Sequence, residues 1–183
     1  MATLLGQPIS LGEGRSICPP SGWKASGVIA DNPLRLQPGS RVVLYPEEDP
    51  EASIAWRIES WLVGHPQADD FAMLLDHEGT PGRSDLESLS PSLIRLNLRS
   101  LTEARVVRHR GAGNVLALTY LDDDSGWAGY VLYAPTLQIA GEVQILSYEG
   151  LQVPYLSYLE PAMASINSFR DGRLLAGAHY PGA

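Results

Sequence analysis

GEVQILSYEGLQVPYLSYLEPAMASINSF, residues 141–169, decides how the rest of the chain must be arranged. Val143, Ile145, Leu146 and Tyr148 form a short run that favours a half-buried, pleated surface. Glu149-Gly150 reads as the end of that strand, since glycine supplies backbone freedom at a turn. Beyond it, Tyr155, Leu159, Ala162, Ile166 and Phe169 recur at alternating steps of four and three, which places them on one helical face. Proline is tolerated in the first turn of a helix and breaks or kinks its interior. Pro161 therefore marks either a helix starting near Glu160 or a kink in a longer one. Arg170 closes the stripe, where a cation complements the helix dipole. The stripe reads as core packing, and the chain before it must supply a sheet for this helix to cover.

That sheet is legible on both sides of a less regular middle. Arg105–Arg110, Asn114–Leu121, Gly129–Ala134 and Gln138–Tyr148 read as successive strands, broken at Gly111-Ala112-Gly113, Asp122–Gly126 and Pro135-Thr136. Breaks this short predict an antiparallel meander. Further upstream, Arg41–Tyr45 and Ser53–Leu62 flank the acidic turn Pro46–Pro50 and read as a hairpin. In the second of these, Ile54, Trp56 and Ile58 face one way and Ala55, Arg57, Glu59 and Trp61 the other. Arg15–Cys18 is a short strand followed by the turn Pro19-Pro20-Ser21-Gly22, and Trp23 packs on the sheet edge or core. Ser26–Gly39 reads as loop. Asp69-Asp70 caps a short helix over Phe71–Leu75, and Asp85–Leu101 reads as a helix followed by a bend at Pro91. The whole is an α+β domain: an antiparallel sheet of about six to seven strands covered by helices. Residues 1–183 are expected to form a single domain, with 1–13 as an arm or edge strand and 171–183 as a flexible tail.

Composition narrows the function classes. A hydrophobic fraction of 44% over 183 residues is that of a globular domain with a real core. Cys18 is the single cysteine, which excludes an internal disulfide and fits a small buried hydrophobe. The opening MATLLGQPISLGEG has neither a basic flank nor a long apolar run, and no stretch is long and apolar enough to span a membrane, so a cytoplasmic location is expected. The formal net charge of −8 opposes nucleic-acid binding and favours solubility or a basic protein partner. Five arginines crowd one region, Arg95, Arg99, Arg105, Arg108 and Arg110. They could meet an anionic partner, but a solvated face explains them more simply.

Catalytic signatures are mostly missing. The histidines 65, 77, 109 and 179 have no metalloprotease spacing, and no cysteine pair exists for zinc, so no metal or other cofactor is expected. Asp122-Asp123-Asp124-Ser125-Gly126 is the densest acidic cluster. It lacks the spaced ladder of a calcium loop and reads as a polar hairpin tip. Gly111-Ala112-Gly113 lies between strands with no helix following, which suits a hairpin and not a dinucleotide site. No nucleophile elbow is present, and no catalytic residue is assigned.

The order of landmarks resembles the Mog1/PsbP-like group, which includes DcrB-like bacterial proteins and the Eag-type chaperones of type VI secretion effectors. The resemblance is carried by Pro20-Ser21-Gly22-Trp23 after an opening strand, the 41–45 and 53–62 pair, the meander from Arg105, and Ser147-Tyr148-Glu149-Gly150 leading into Tyr155, Pro161, Ile166 and Ser168-Phe169. It implies a sandwich of antiparallel sheet and helices with a non-catalytic role, and no shared catalytic residues. The expectation is a chaperone, adaptor or immunity protein for a secreted effector or toxin, with no nucleic acid bound and a homo-oligomer possible. Trp61, Trp127, Asp122, Asp123, Asp124 and Tyr155 are the candidate contacts, since aromatics anchor interfaces and complementary charge selects partners. Trp56 is assigned to the core. The alternative is a small-ligand binder or hydrolase-type enzyme with a pocket between sheet and helix, in which Asp76, His77 and Glu78 would be the first suspects.

Overall fold

A computed structural model describes residues 5–12, 14–27, 41–60, 66–89, 100–136 and 142–172. Strands β3 (Lys24–Gly27), β4 (Arg41–Tyr45), β5 (Ser53–Ser60), β6 (Leu101–His109), β7 (Gly113–Asp122), β8 (Trp127–Pro135) and β9 (Glu142–Leu151) form one seven-stranded sheet. Its order is β3-β4-β5-β9-β8-β7-β6, and every neighbouring pair is antiparallel. The meander predicted from Arg105 onward is its second half. The upstream hairpin joins it edgewise, with Ile54 opposite Tyr148 and Trp56 opposite Leu146. Nothing local in the sequence dictates that long-range pairing. A second sheet contains β1 (Ile9–Gly12), β2 (Arg15–Ile17) and β10 (Arg170–Asp171), with β2 in the middle.

The alternation of side chains along the strands builds two cores, one on each face of the large sheet. Val42, Leu44, Ile54, Trp56, Leu146 and Tyr148 meet Leu11 and Ile17 of the small sheet and the helices α3 (Gln152–Ser157) and α4 (Leu159–Ser168). On the opposite face, Val106, Leu116, Leu118, Val131, Tyr133 and Ile145 meet Phe71 and Leu75 of α1 (Pro66–Leu75) and Leu86 and Leu89 of α2 (Arg83–Leu89). The fold is therefore a three-layered α+β sandwich. No helix among the described residues is long and apolar enough to cross a membrane.

Local readings shift at four places. First, β9 does not end at Glu149-Gly150. It continues to Leu151, and a Cβ on Gly150 would lie 2.9 Å from the Cα of Ala52, so this glycine permits close backbone approach rather than a turn. Second, helix begins directly at Gln152. Tyr158, at φ −110° and ψ 10°, separates α3 from α4, and Pro154 and Pro161 each occupy the first turn of their own helix, where a missing N–H costs nothing. Third, α1 starts at Pro66, a favoured first helical position, which puts Asp69 in its first turn and not at a cap before Phe71. Fourth, Lys24–Gly27, read partly as loop, is the edge strand β3. The readings of 28–40, Trp61, His65, 90–99 and 173–183 lie outside the described residues.

Asp171 corrects the expectation of a tail starting at that residue. It is 1% exposed and accepts from Arg15 Nε at 2.9 Å, itself 3% exposed. The same carboxylate oxygen accepts from Gln144 Nε2 at 2.9 Å, and Gln144 Oε1 faces Trp56 Nε1 at 3.5 Å. Removing one partner of a buried pair strands the other charge. Asp171→Ala is expected to cost roughly 3–5 kcal/mol in urea unfolding. The double variant Arg15→Met/Asp171→Leu is expected to recover most of that loss, because no charge then remains buried.

Candidate functional site

The two tight turns of the meander lie at opposite ends of the large sheet. The β6–β7 turn is at one end and the β7–β8 turn at the other, separated by the ten residues of β7, roughly 30 Å at about 3.3 Å per residue. Charge is segregated between these ends.

The β7–β8 end is acidic. Asp122 Oδ1 accepts from the backbone N–H of Asp124 at 3.2 Å and its Oδ2 from Ser125 Oγ at 2.7 Å, while Gly126, at φ 71°, closes the turn. The hydroxyl of Ser125 is the main reason the Asp122 carboxyl is held below its ordinary range. Asp123 and Asp124 are exposed. The β4–β5 loop, with Glu47, Glu48, Asp49 and Glu51, opens at the same end, because Ser53 pairs with Glu149 and Trp127 pairs with Leu151. Lys24 pairs with Glu47 there, and Tyr158 donates to Asp49 Oδ2 at 2.9 Å.

Within this acidic rim sit exposed apolar side chains. Trp127 is 39% exposed, Val153 76% and Leu156 59%. Leu151, the cross-strand partner of Trp127, runs straight into α3, and Gln152 N–H donates to Gly126 O at 2.8 Å. Val153 and Leu156 are three apart on that helix and share its outer side. Sequence reading missed these two, because only the inward stripe of the helix shows in the spacing.

Of the predicted contacts, the structure brings together Trp127 and Asp122–Asp124, while Trp61 lies outside the described residues. Tyr155 belongs to the core: its ring stacks on Tyr148 at 4.6 Å and 17°, and its carbonyl accepts from the Tyr148 hydroxyl at 2.7 Å. Burial removes it from the surface and raises its hydroxyl pKa. Trp56 is buried, as assigned.

The alternative pocket takes the form of a groove of about 540 Å³ between α1, α2 and β6. His77 and Glu78 line it, whereas Asp76 does not; all three side chains are exposed, and no side-chain hydrogen bond among the described residues joins them. Among the described residues, no cluster of three or more His, Cys, Asp or Glu side chains could hold a metal ion.

Further polar detail lies inside the sheet. Tyr120 lies across Gly129, where a Cβ would fall 2.2 Å from its ring, and donates to Glu149 Oε1 at 2.8 Å. Burial, then the Glu149 charge, raises the pKa of its hydroxyl. At the other end of the sheet, His109 is buried. Its Nδ1 accepts from Gly111 N–H at 3.1 Å, which leaves Nε2–H to donate to Ile166 O at 3.2 Å. Those bonds define the neutral tautomer.

The sequence matches no family model and no curated protein. Among solved structures, the chain is similar to the solution structure of cyanobacterial PsbP (CyanoP) from Synechocystis sp. PCC 6803, with a TM-score of 0.50 at 12% identity over 93% of each chain. The fold is thus Mog1/PsbP-like.

Burial depresses the pKa of His109 and Arg170 adds to this, against the opposing hydrogen bond to Ile166. The unfolded chain therefore binds the proton more readily. The stabilisation is complete above about pH 6.5, the ordinary value, and is lost as pH falls through the window below it. Thermal unfolding between pH 7 and 5 is expected to show a falling Tm for the wild type. His109→Gln, which keeps an acceptor and a donor, is expected to flatten that dependence.

Proposed function

We propose that the chain is a non-catalytic protein-binding domain that acts as a cytoplasmic chaperone or adaptor, or as an immunity protein, for a secreted effector or toxin. The observation that carries this reading is the exposed apolar set Trp127, Val153 and Leu156, framed by carboxylates of two loops at one end of the sheet. An aromatic anchor in an apolar centre with a charged rim is the usual anatomy of an interface. The net charge of −8 selects a basic partner and speeds its encounter. The resemblance to DcrB-like proteins and Eag-type effector chaperones supports a role in type VI-like secretion. The fold alone does not impose any activity.

The second reading, a small-ligand binder or hydrolase, draws on the 540 Å³ groove beside His77 and Glu78. Its two named side chains are exposed and share no hydrogen bond with Asp76, which leaves them without the mutual orientation that acid–base or nucleophilic work requires.

Capture from the native host with tagged protein separates the two. The wild type is expected to retain one stoichiometric basic partner, and Leu156→Asp with Val153→Asp to lose it while the fold is kept, since both residues are exposed. Asp123→Asn with Asp124→Asn is expected to slow association several-fold and to reduce its salt dependence. Retention of the partner by the Val153/Leu156 variant would refute the surface assignment. A preparation that never carries a partner would shift the weight to the groove.

A further inference from the structure

The end of the sheet opposite the acidic rim carries a site that the protein-binding reading does not use. Arg108 and Arg110 flank the buried His109 where β6 turns into β7, and Arg170 follows α4. The three arginines line one surface pocket of about 360 Å³. No carboxylate lines it. Its remaining walls are polar at His109, Asn167 and Tyr130 and apolar at Leu132 and Val107.

The fold brings together the backbones that carry Arg110 and Arg170. Asp171 N–H donates to Gly111 O at 2.7 Å, and a Cβ on Gly111 would lie 1.9 Å from Phe169 O, so the turn bearing Arg110 is pressed against the backbone that bears Arg170. His109 adds a tie to Ile166 O near the end of α4. Arg170 is oriented in turn, its Nη1 donating to Asn167 O at 3.0 Å and to Phe169 O at 2.7 Å. Both acceptors are neutral carbonyls, so its charge is not balanced there. The nearest acid in sequence, Asp171, is engaged by Arg15 and Gln144. Among the described residues, Arg108 and Arg110 have no carboxylate partner either, in contrast to Arg105, which pairs with Glu103 at 2.6 Å.

Like charges held together repel unless an anion sits between them, and guanidinium forks match the oxygens of carboxylates and phosphoryl groups. The geometry points to a binding site for a small organic oxyanion, whose carboxylate or phosphoryl group is held by Arg110 and Arg170, with Arg108 adding charge at the rim, and whose apolar body lies on Leu132 and Val107. The site stands independently of the protein-binding surface, which lies at the far end of β7. Sequence grouping alone linked Arg105 with Arg108 and Arg110. The structure leaves Arg105 out and adds Arg170, sixty residues further on.

Calorimetric titration of the full chain at low ionic strength with phenyl phosphate, benzoate and inorganic phosphate tests the site. Phenyl phosphate or benzoate is expected to bind saturably at one site per chain, and the tighter of the two identifies the headgroup. Inorganic phosphate is expected to bind more weakly, since it leaves the apolar floor uncovered. Arg110→Gln and Arg170→Gln are each expected to weaken binding tenfold or more, and Arg105→Gln to leave it unchanged. Arg110 is exposed and makes no tie to the core, so its variant stays informative even if Arg170→Gln unfolds. Absence of saturable binding by all three compounds would overturn the proposal, as would binding that Arg105→Gln reduces as much as Arg110→Gln does.

Discussion

One buried carboxylate ties the molecule together. Asp171 takes an arginine from the second strand of the chain and an amide from the last strand of the large sheet, and both contacts go to the same oxygen at 2.9 Å. Arg15 and Asp171 are 156 residues apart, so the contact closes nearly the whole chain into a loop. A buried pair of this kind stabilises only if its remaining bonds are satisfied. Gln144 meets that condition, and through Trp56 it extends the polar contact into the apolar face. The small sheet gains its third strand through this closure, since β10 is two residues long and is held by its pairing with β2 and by Gly111.

From that closure follows the division of charge between the ends. Bringing residue 171 back to residue 15 sets Arg170 beside the β6–β7 turn and its Arg110. The far end of the same strands carries the loops at 46–51 and 122–126, both rich in carboxylates. A chain whose net charge is −8 thereby acquires a local basic pocket and an acidic face that carries exposed apolar side chains. Separation by the length of a strand exceeds the Debye length of about 8 Å at physiological ionic strength, so the two ends present themselves to ligands almost independently.

The elements that could be read from sequence are those whose signal is local. β4, β5 and the meander showed themselves by alternation and by turns of glycine, proline and aspartate. The pairing of β5 with β9 was not legible, because register between distant strands is set by the core they share. Gly150 misled for a related reason: the same residue serves a turn and a close backbone approach, and only Ala52 in space distinguishes them. Pro161 was informative but ambiguous, since a separate helix, with Pro154 in its first turn, already precedes it. For the site, exposure was the missing quantity. Trp127 and the three aspartates lie on the surface, Tyr155 proved to be core, and Val153 and Leu156 emerged only once the outer side of α3 was placed.

We propose that a protein partner is held at the acidic, apolar end. Hydrogen exchange on the complex co-purified from the native host tests it most directly. Exchange is expected to slow on binding at 122–127 and 151–157, with 76–89 and 108–113 unchanged. Protection confined to 76–89, the groove between α1 and α2, with 122–127 and 151–157 exchanging as in the free chain, would contradict it.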